Sequence, residues 1–137
     1  MSFDLIAFSP NGPRTVSDVR EVLDAEEQRL VTAKPGLASV TDNALAAAGP
    51  QMARFLDELK RRWPSLEADP DGSPWSVSPI WKPAIGGQAI EAIGMAISWS
   101  RAEEIYTALV EIAADRNVII YDPQTPQVIC PPGWAAS

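Results

Sequence analysis

Residues 89–121 read AIEAIGMAISWSRAEEIYTALVEIAADRNVIIY, and the change of period inside this stretch decides the fold. Up to Trp99 the pattern repeats every two residues. Ile93, Met95, Ile97 and Trp99 share one side, and Ala92, Gly94, Ala96 and Ser98 share the other. That is a strand with one bulky and one small face. Beyond Ser100 the apolar positions are Ala102, Ile105, Leu109, Ile112 and Ala113, the stripe of a helix running to about residue 115. Ser100 and Glu103 have the spacing of a capping box. Asn117 suits a helix end, and the β-branched run at 118–121 returns the chain to a strand.

Working outward, 127–130 reads as a last short strand after the Asp122-Pro-Gln-Thr-Pro126 turn, with Pro131-Pro132-Gly133 leading into a tail. Towards the N-terminus, 83–88 is a turn containing Gly86-Gly87. Residues 75–81 alternate Trp75, Val77, Pro79 and Trp81 against Ser76, Ser78 and Ile80. This is a half-buried strand that Pro79 pushes towards an edge or a bulge. An acidic, turn-rich loop precedes it at 66–74. Gly49-Pro50 opens a helix whose stripe is Met52, Phe55, Leu56, Leu59 and Trp63, stopped by Pro64. The alanine-rich stretch 37–48 has little pattern. An earlier helix spans about 16–31 behind a Thr15/Asp18 capping pair. The chain opens with the strand SFDLIAF at 2–8, apolar on both faces, followed by the turn at 9–13.

The element order is β-α-α-β-β-α-β-β. Without the second helix and the last strand it becomes β-α-β-β-α-β, the split, ferredoxin-like order. The expectation is an α+β fold in one domain over 1–137, with an antiparallel sheet and helices on one face.

Composition narrows the function. The chain has 137 residues, a net charge of −7 and no histidine. Triads, Cys-His dyads and histidine metal sites are therefore excluded, and with them the usual acid–base group at neutral pH. Cys130 lacks a Cys-x-x-Cys partner and reads as an inert thiol. Asp69-Pro70-Asp71-Gly72 lacks the later ligands of a calcium loop. No glycine fingerprint for a nucleotide is present. No metal or cofactor is expected, and the balance leans away from an enzyme. The apolar runs at 44–48 and 93–97 are far shorter than the ~20 residues of a spanning helix. With no basic-then-apolar leader and a single cysteine, the expected compartment is the cytoplasm.

Charge is uneven. Residues 69–137 hold three basic and eight acidic side chains, against eight and ten in residues 1–68. The cluster Lys60-Arg61-Arg62 sits at a helix end, where it complements the dipole. Nucleic acid is not an expected partner, nor is a membrane. A basic protein is, because opposite potentials speed encounter. Of the five tryptophans, Trp63 and Trp99 read as core. Trp75 and Trp81 flank a proline-broken strand beside the acidic loop, as aromatic anchors of an interface would. The expected partner-binding residues are Glu67, Asp69, Asp71, Trp75 and Trp81.

The opening Met-Ser-Phe-Asp-Leu, the central Ser-Pro-Trp, Ile-Ser-Trp-Ser-Arg-Ala-Glu-Glu at 97–104 and Tyr-Asp-Pro-Gln at 121–124 resemble a group of small uncharacterised bacterial proteins. Those begin with a similar Met-Ser-Tyr-Asp-Leu strand and share a Trp-Ser-helix-Tyr-Asp-Pro ending. The resemblance covers both ends and the centre, not 32–50. Small acidic proteins of this type are similar to immunity proteins of bacterial toxin systems. By that analogy of type the chain is expected to be a non-catalytic binding protein covering a basic active-site cleft. Two alternatives stand beside it. One is a ligand-binding or enzymatic domain using the small-residue face at Ala92, Gly94 and Ala96, with Asp4 and Arg101. The other is a homo-oligomeric module, such as a homodimer, paired through a sheet edge.

Overall fold

A computed structural model describes residues 2–32, 49–82, 85 and 90–132. The turn expected at 83–88, the stretch 37–48 and the tail from Gly133 fall mostly or wholly outside the described residues. The order is β1 (Ser2–Phe8), α1 (Val16–Thr32), α2 (Pro50–Arg62), β2 (Trp75–Lys82), β3 (Ala92–Ser98), a 3-10 turn at Trp99–Arg101, α3 (Ala102–Asp115), β4 (Ile119–Asp122) and β5 (Gln127–Ile129). Five strands form one antiparallel sheet in the order β2-β3-β1-β4-β5. The fold is α+β.

β1 occupies the centre. It pairs with β3 along its whole length, from Ser2 opposite Ser98 to Phe8 opposite Ala92, and with β4 from Ile6 to Phe8. Strand parity then sorts the side chains. Leu5, Ala7, Ile93, Met95, Ile97 and Ile120 point to one face and are buried with Met52, Phe55, Leu56 and Leu59 of α2 and Ile105, Leu109 and Ile112 of α3. Phe8, Ala92, Ile119 and Tyr121 point to the other and are buried with Val19 and Val22 of α1. The helices are therefore divided between the two faces, which corrects the expectation of one helical layer. The reason is the sequence of β1 itself: Phe8 is as apolar as Leu5 and needs cover on the opposite side. Lys82, on the same face as α1, reaches Glu26 of that helix at 3.4 Å, and Glu26 is only 4% exposed.

The edges are irregular. β2 has register shifts on either side of Val77, before Ile80, so Pro79 sits in the bulged part of an edge strand. β5 has only three residues. Glu91, just before β3, ties α2 to the sheet. Its Oε1 accepts from the Gly49 amide and from the Trp81 indole, both at 3.0 Å. A carboxylate there complements the helix N-terminus. A Cβ at Gly49 would lie 2.7 Å from Glu91 Oε2, so a larger residue there would push the carboxylate aside. At the end of α3, Asn117 takes a left-handed conformation (φ 57°), and the amides of Arg116 and Val118 both close on the Ala113 carbonyl.

Two expectations around β3 fail together. The strand ends at Ser98, not Trp99, and the N-cap of α3 is Arg101 rather than Ser100, with no side-chain capping bond. Instead the Ser98 amide donates to the Pro74 carbonyl at 2.7 Å, and the chain winds into the 3-10 turn before α3 begins. One arm of the first capping pair forms: the Asp18 amide donates to Thr15 Oγ1 at 3.1 Å.

The far ends of α2 and α3 are joined by charge. Glu58 accepts from Arg61 and Arg62 on its own helix and lies 3.5 Å from Arg116 beyond α3. The hydrogen bonds from Arg61 and Arg62 hold the Glu58 carboxyl down at about 2, against 4.5 for an ordinary glutamate. A depressed folded value means that the stabilisation is complete above the ordinary value and is lost as pH falls towards about 2. Glu58→Gln should therefore lower the melting temperature at neutral pH, and its deficit relative to the native chain should shrink steadily below pH 4.5 in melts followed by circular dichroism. A deficit unchanged down to pH 2 would show that the charge of Glu58 does not matter.

Candidate functional site

The expected partner-binding residues separate into two groups. Glu67, Asp69 and Asp71 are exposed on the loop between α2 and β2. That loop is wound into turns. The Ala68 amide donates to Ser65 Oγ, the Gly72 amide to Asp69 Oδ1 and the Ser73 amide to the Asp69 carbonyl. Asp69 thus shapes the loop as well as charging it.

The two tryptophans are not surface anchors. Trp75 is 2% exposed, and its ring meets that of Trp63 edge-on at 5.9 Å. Trp81 is half-buried against the same core, its indole N–H held by Glu91. Register explains both. Trp75 pairs with Ile97 and Trp81 with Ile93, which places them on the face that α2 and α3 cover. The small-residue face is also divided. Ala92 is buried in the cluster under α1, whereas a Cβ on Gly94 would meet no atom within 4 Å. Arg101 is committed elsewhere, its Nε to Glu104 at 2.8 Å and its Nη1 to the Gly72 carbonyl at 3.1 Å.

Among the described residues the exposed tryptophan is Trp99, at 55%. The sequence placed it in the core by extending the alternation of β3 one residue too far. The 3-10 turn instead rotates it out of the sheet. Its polar setting, Ser98-Trp99-Ser100-Arg101, was the available signal: a tryptophan at the junction of two periods belongs to neither apolar face. The ring lies over Phe3 of β1, with centroids 5.6 Å apart and planes at 45°. Phe3 in turn meets Tyr106 of α3 edge-on at 5.7 Å. These three rings line an open groove of about 510 Å³ between the start of α3 and the β4–β5 turn, closed on its polar side by Glu103, Asp122, Thr125 and Gln127. Gln127 Nε2 donates to the Tyr106 hydroxyl at 3.0 Å. The groove continues shallowly across Ser100, Glu104 and Thr107.

The Tyr-Asp-Pro-Gln stretch builds the wall. Tyr121 is in the core beneath α1. Asp122 is 2% exposed and accepts from the Gln124 amide at 2.9 Å, from Gln124 Nε2 at 2.6 Å and from Thr125 Oγ1 at 3.1 Å. Gln124 also takes the place of a strand residue opposite Asp4. Its Oε1 accepts from the Asp4 amide and its Nε2 donates to the Asp4 carbonyl, both at 2.9 Å. No Lys or Arg lines the groove among the described residues. The site is an aromatic slot with carboxylates and no counter-charge, and Arg101 draws the acidic loop against its rim through Gly72. Among the described residues no group of three carboxylates or thiols could hold a metal ion.

Trp75→Ala removes a buried ring and should cost about 3–5 kcal/mol. Trp99→Ala, on the surface, should change stability by about 0.5 kcal/mol or less. Urea unfolding of the two variants distinguishes a core residue from an exposed one, and equal losses would contradict this placement. Comparison with protein-family models, with curated proteins and with solved structures returns no match.

Proposed function

We propose that this chain is a non-catalytic binding protein for a basic protein partner, and specifically an immunity protein that neutralises a bacterial toxin by covering a basic active-site cleft. The observation that carries the reading is Trp99, a large ring more than half exposed and set among carboxylates with no cation lining its groove among the described residues. A tryptophan at that exposure gains most when a partner removes it from water. The acidic rim gives attraction and orientation at long range. Toxins that act on nucleic acids or nucleotides have basic clefts, which match this surface. Glu67, Asp69 and Asp71 remain in the proposed interface as its charged border. Trp99 replaces Trp75 and Trp81 as the anchor.

The supporting scaffold is read as an elaborated ferredoxin-like fold. The sheet order β5-β4-β1-β3-β2 and the pairing of α2 with α3 over one face support that reading. The added parts are then β5 and α1, with α1 on the opposite face, rather than the second helix. Among the described residues no helix is long and apolar enough to cross a membrane. A cytoplasmic site of action is part of the proposal.

The test is protection. If a neighbouring gene encodes a large secreted protein with a variable C-terminal domain, co-expression with that domain should restore growth. The purified pair should form a complex whose association slows as salt is raised. Trp99→Ala should weaken the complex by about 2 kcal/mol or more. A chain that neither binds nor protects against that domain refutes the immunity reading.

A further inference from the structure

We propose that the slot formed by Phe3, Trp99 and Tyr106 is a receptor for one arginine side chain of the partner, with its guanidinium stacked on the rings and its N–H fork directed at Glu103. The identity of the donor protein rests on the binding-protein reading above; the chemistry of the slot can be tested without it.

Three observations choose the occupant. The first is the rings. Trp99 leaves much of its surface open while Phe3 and Tyr106 fix the floor at right angles to each other. A cation over the face of such rings is attracted by their quadrupoles, and a tryptophan is the strongest of the three ring types. The second is charge. Asp122, almost fully buried, receives hydrogen bonds from Gln124 and Thr125 only, both neutral, and has no cationic partner among the described residues. Its negative charge is therefore oriented but not neutralised. The positive end of α3 supplies only about half a unit charge. Glu103 and Glu104 exceed that even after Arg101 is set against Glu104. The field in the groove stays negative, which disfavours an anion. A purely apolar guest would cover carboxylates without compensating them. The third is size. About 510 Å³ is much more than a bare ion needs and accommodates a long side chain with its neighbouring backbone. Between the two long cations, guanidinium is planar, less strongly hydrated and forked, so it stacks and donates at once, as an ammonium cannot.

The probe is the peptide acetyl-Gly-Gly-Arg-Gly-Gly-amide, with its citrulline counterpart as a neutral isostere, titrated into the full chain and followed by amide and indole NMR. The Trp99 indole is assigned from Trp99→Phe. The arginine peptide should move the Trp99 indole and the amides around 102–107. The citrulline peptide should bind about tenfold more weakly or not at all, and Trp99→Ala should lose a similar factor. Glu103→Gln should weaken binding severalfold, while Asp24→Asn, an equal change of net charge on exposed α1 surface, should not. Equal binding of the two peptides, shifts confined to other surfaces, no shifts at all, or equal losses in Glu103→Gln and Asp24→Asn would each overturn the slot. Arginine binding here without toxin protection leaves the slot and removes the immunity reading. Protection that survives Trp99→Ala with Glu103→Gln does the reverse.

Discussion

Leu5 and Ala7 are buried beneath α2 and α3, and Phe8, one residue on, is buried with the cluster of α1. Everything else follows from that adjacency. A strand buried on both faces has to run inside the sheet, with partners on both sides, because its polar backbone has no water to turn to. Its register cannot slip by one residue without exchanging the two cores. β3 and β4 are thereby fixed as its neighbours, and the edges fall to β2, which is bulged, and β5, which is short. Both edges are poor templates for pairing with another chain.

The same constraint creates the groove. β1 outruns β4: their ladder covers only Ile6 to Phe8, so Phe3, paired with Ile97 of β3 on one side, has no strand on the other. Gln124 repairs the missing rung at Asp4 with its side-chain amide, and Asp122 orders the turn that allows this. The space left over Phe3 is bounded by the first turn of α3 and roofed by Trp99. An unfilled apolar floor at a sheet end, with a buried carboxylate beside it, is a consequence of two strands of unequal length.

Charge is separated along α3. Its fourteen residues span about 21 Å. Arg61, Arg62 and Arg116 gather around Glu58 at one end, and Glu103, Glu104 and Asp122 lie at the other. That distance exceeds the ~8 Å over which charges are felt at physiological salt. The arginines therefore steady the helix ends without neutralising the groove.

Much of the fold was legible in the residues. Periods of two and of 3.6 located the five strands and three helices of the described residues to within a few positions, because burial on one side imposes those periods locally. Pro79 marked an irregular edge and Asn117 a helix end through backbone geometry alone. The sequence also showed that histidine chemistry is absent and that acid predominates in the second half. It could not assign helices to faces, since an amphipathic stripe says that a helix is covered and not by which side of the sheet. It placed Trp75 and Trp81 outside and Trp99 inside, whereas the structure buries Trp75, half-buries Trp81 and exposes Trp99, because parity in β2 is set by its pairing with β3 while the parity of β3 ends one residue before Trp99. Which surfaces stay open is a property of how elements of unequal length close on each other. No local pattern carries it, and the candidate site exists only in the tertiary structure.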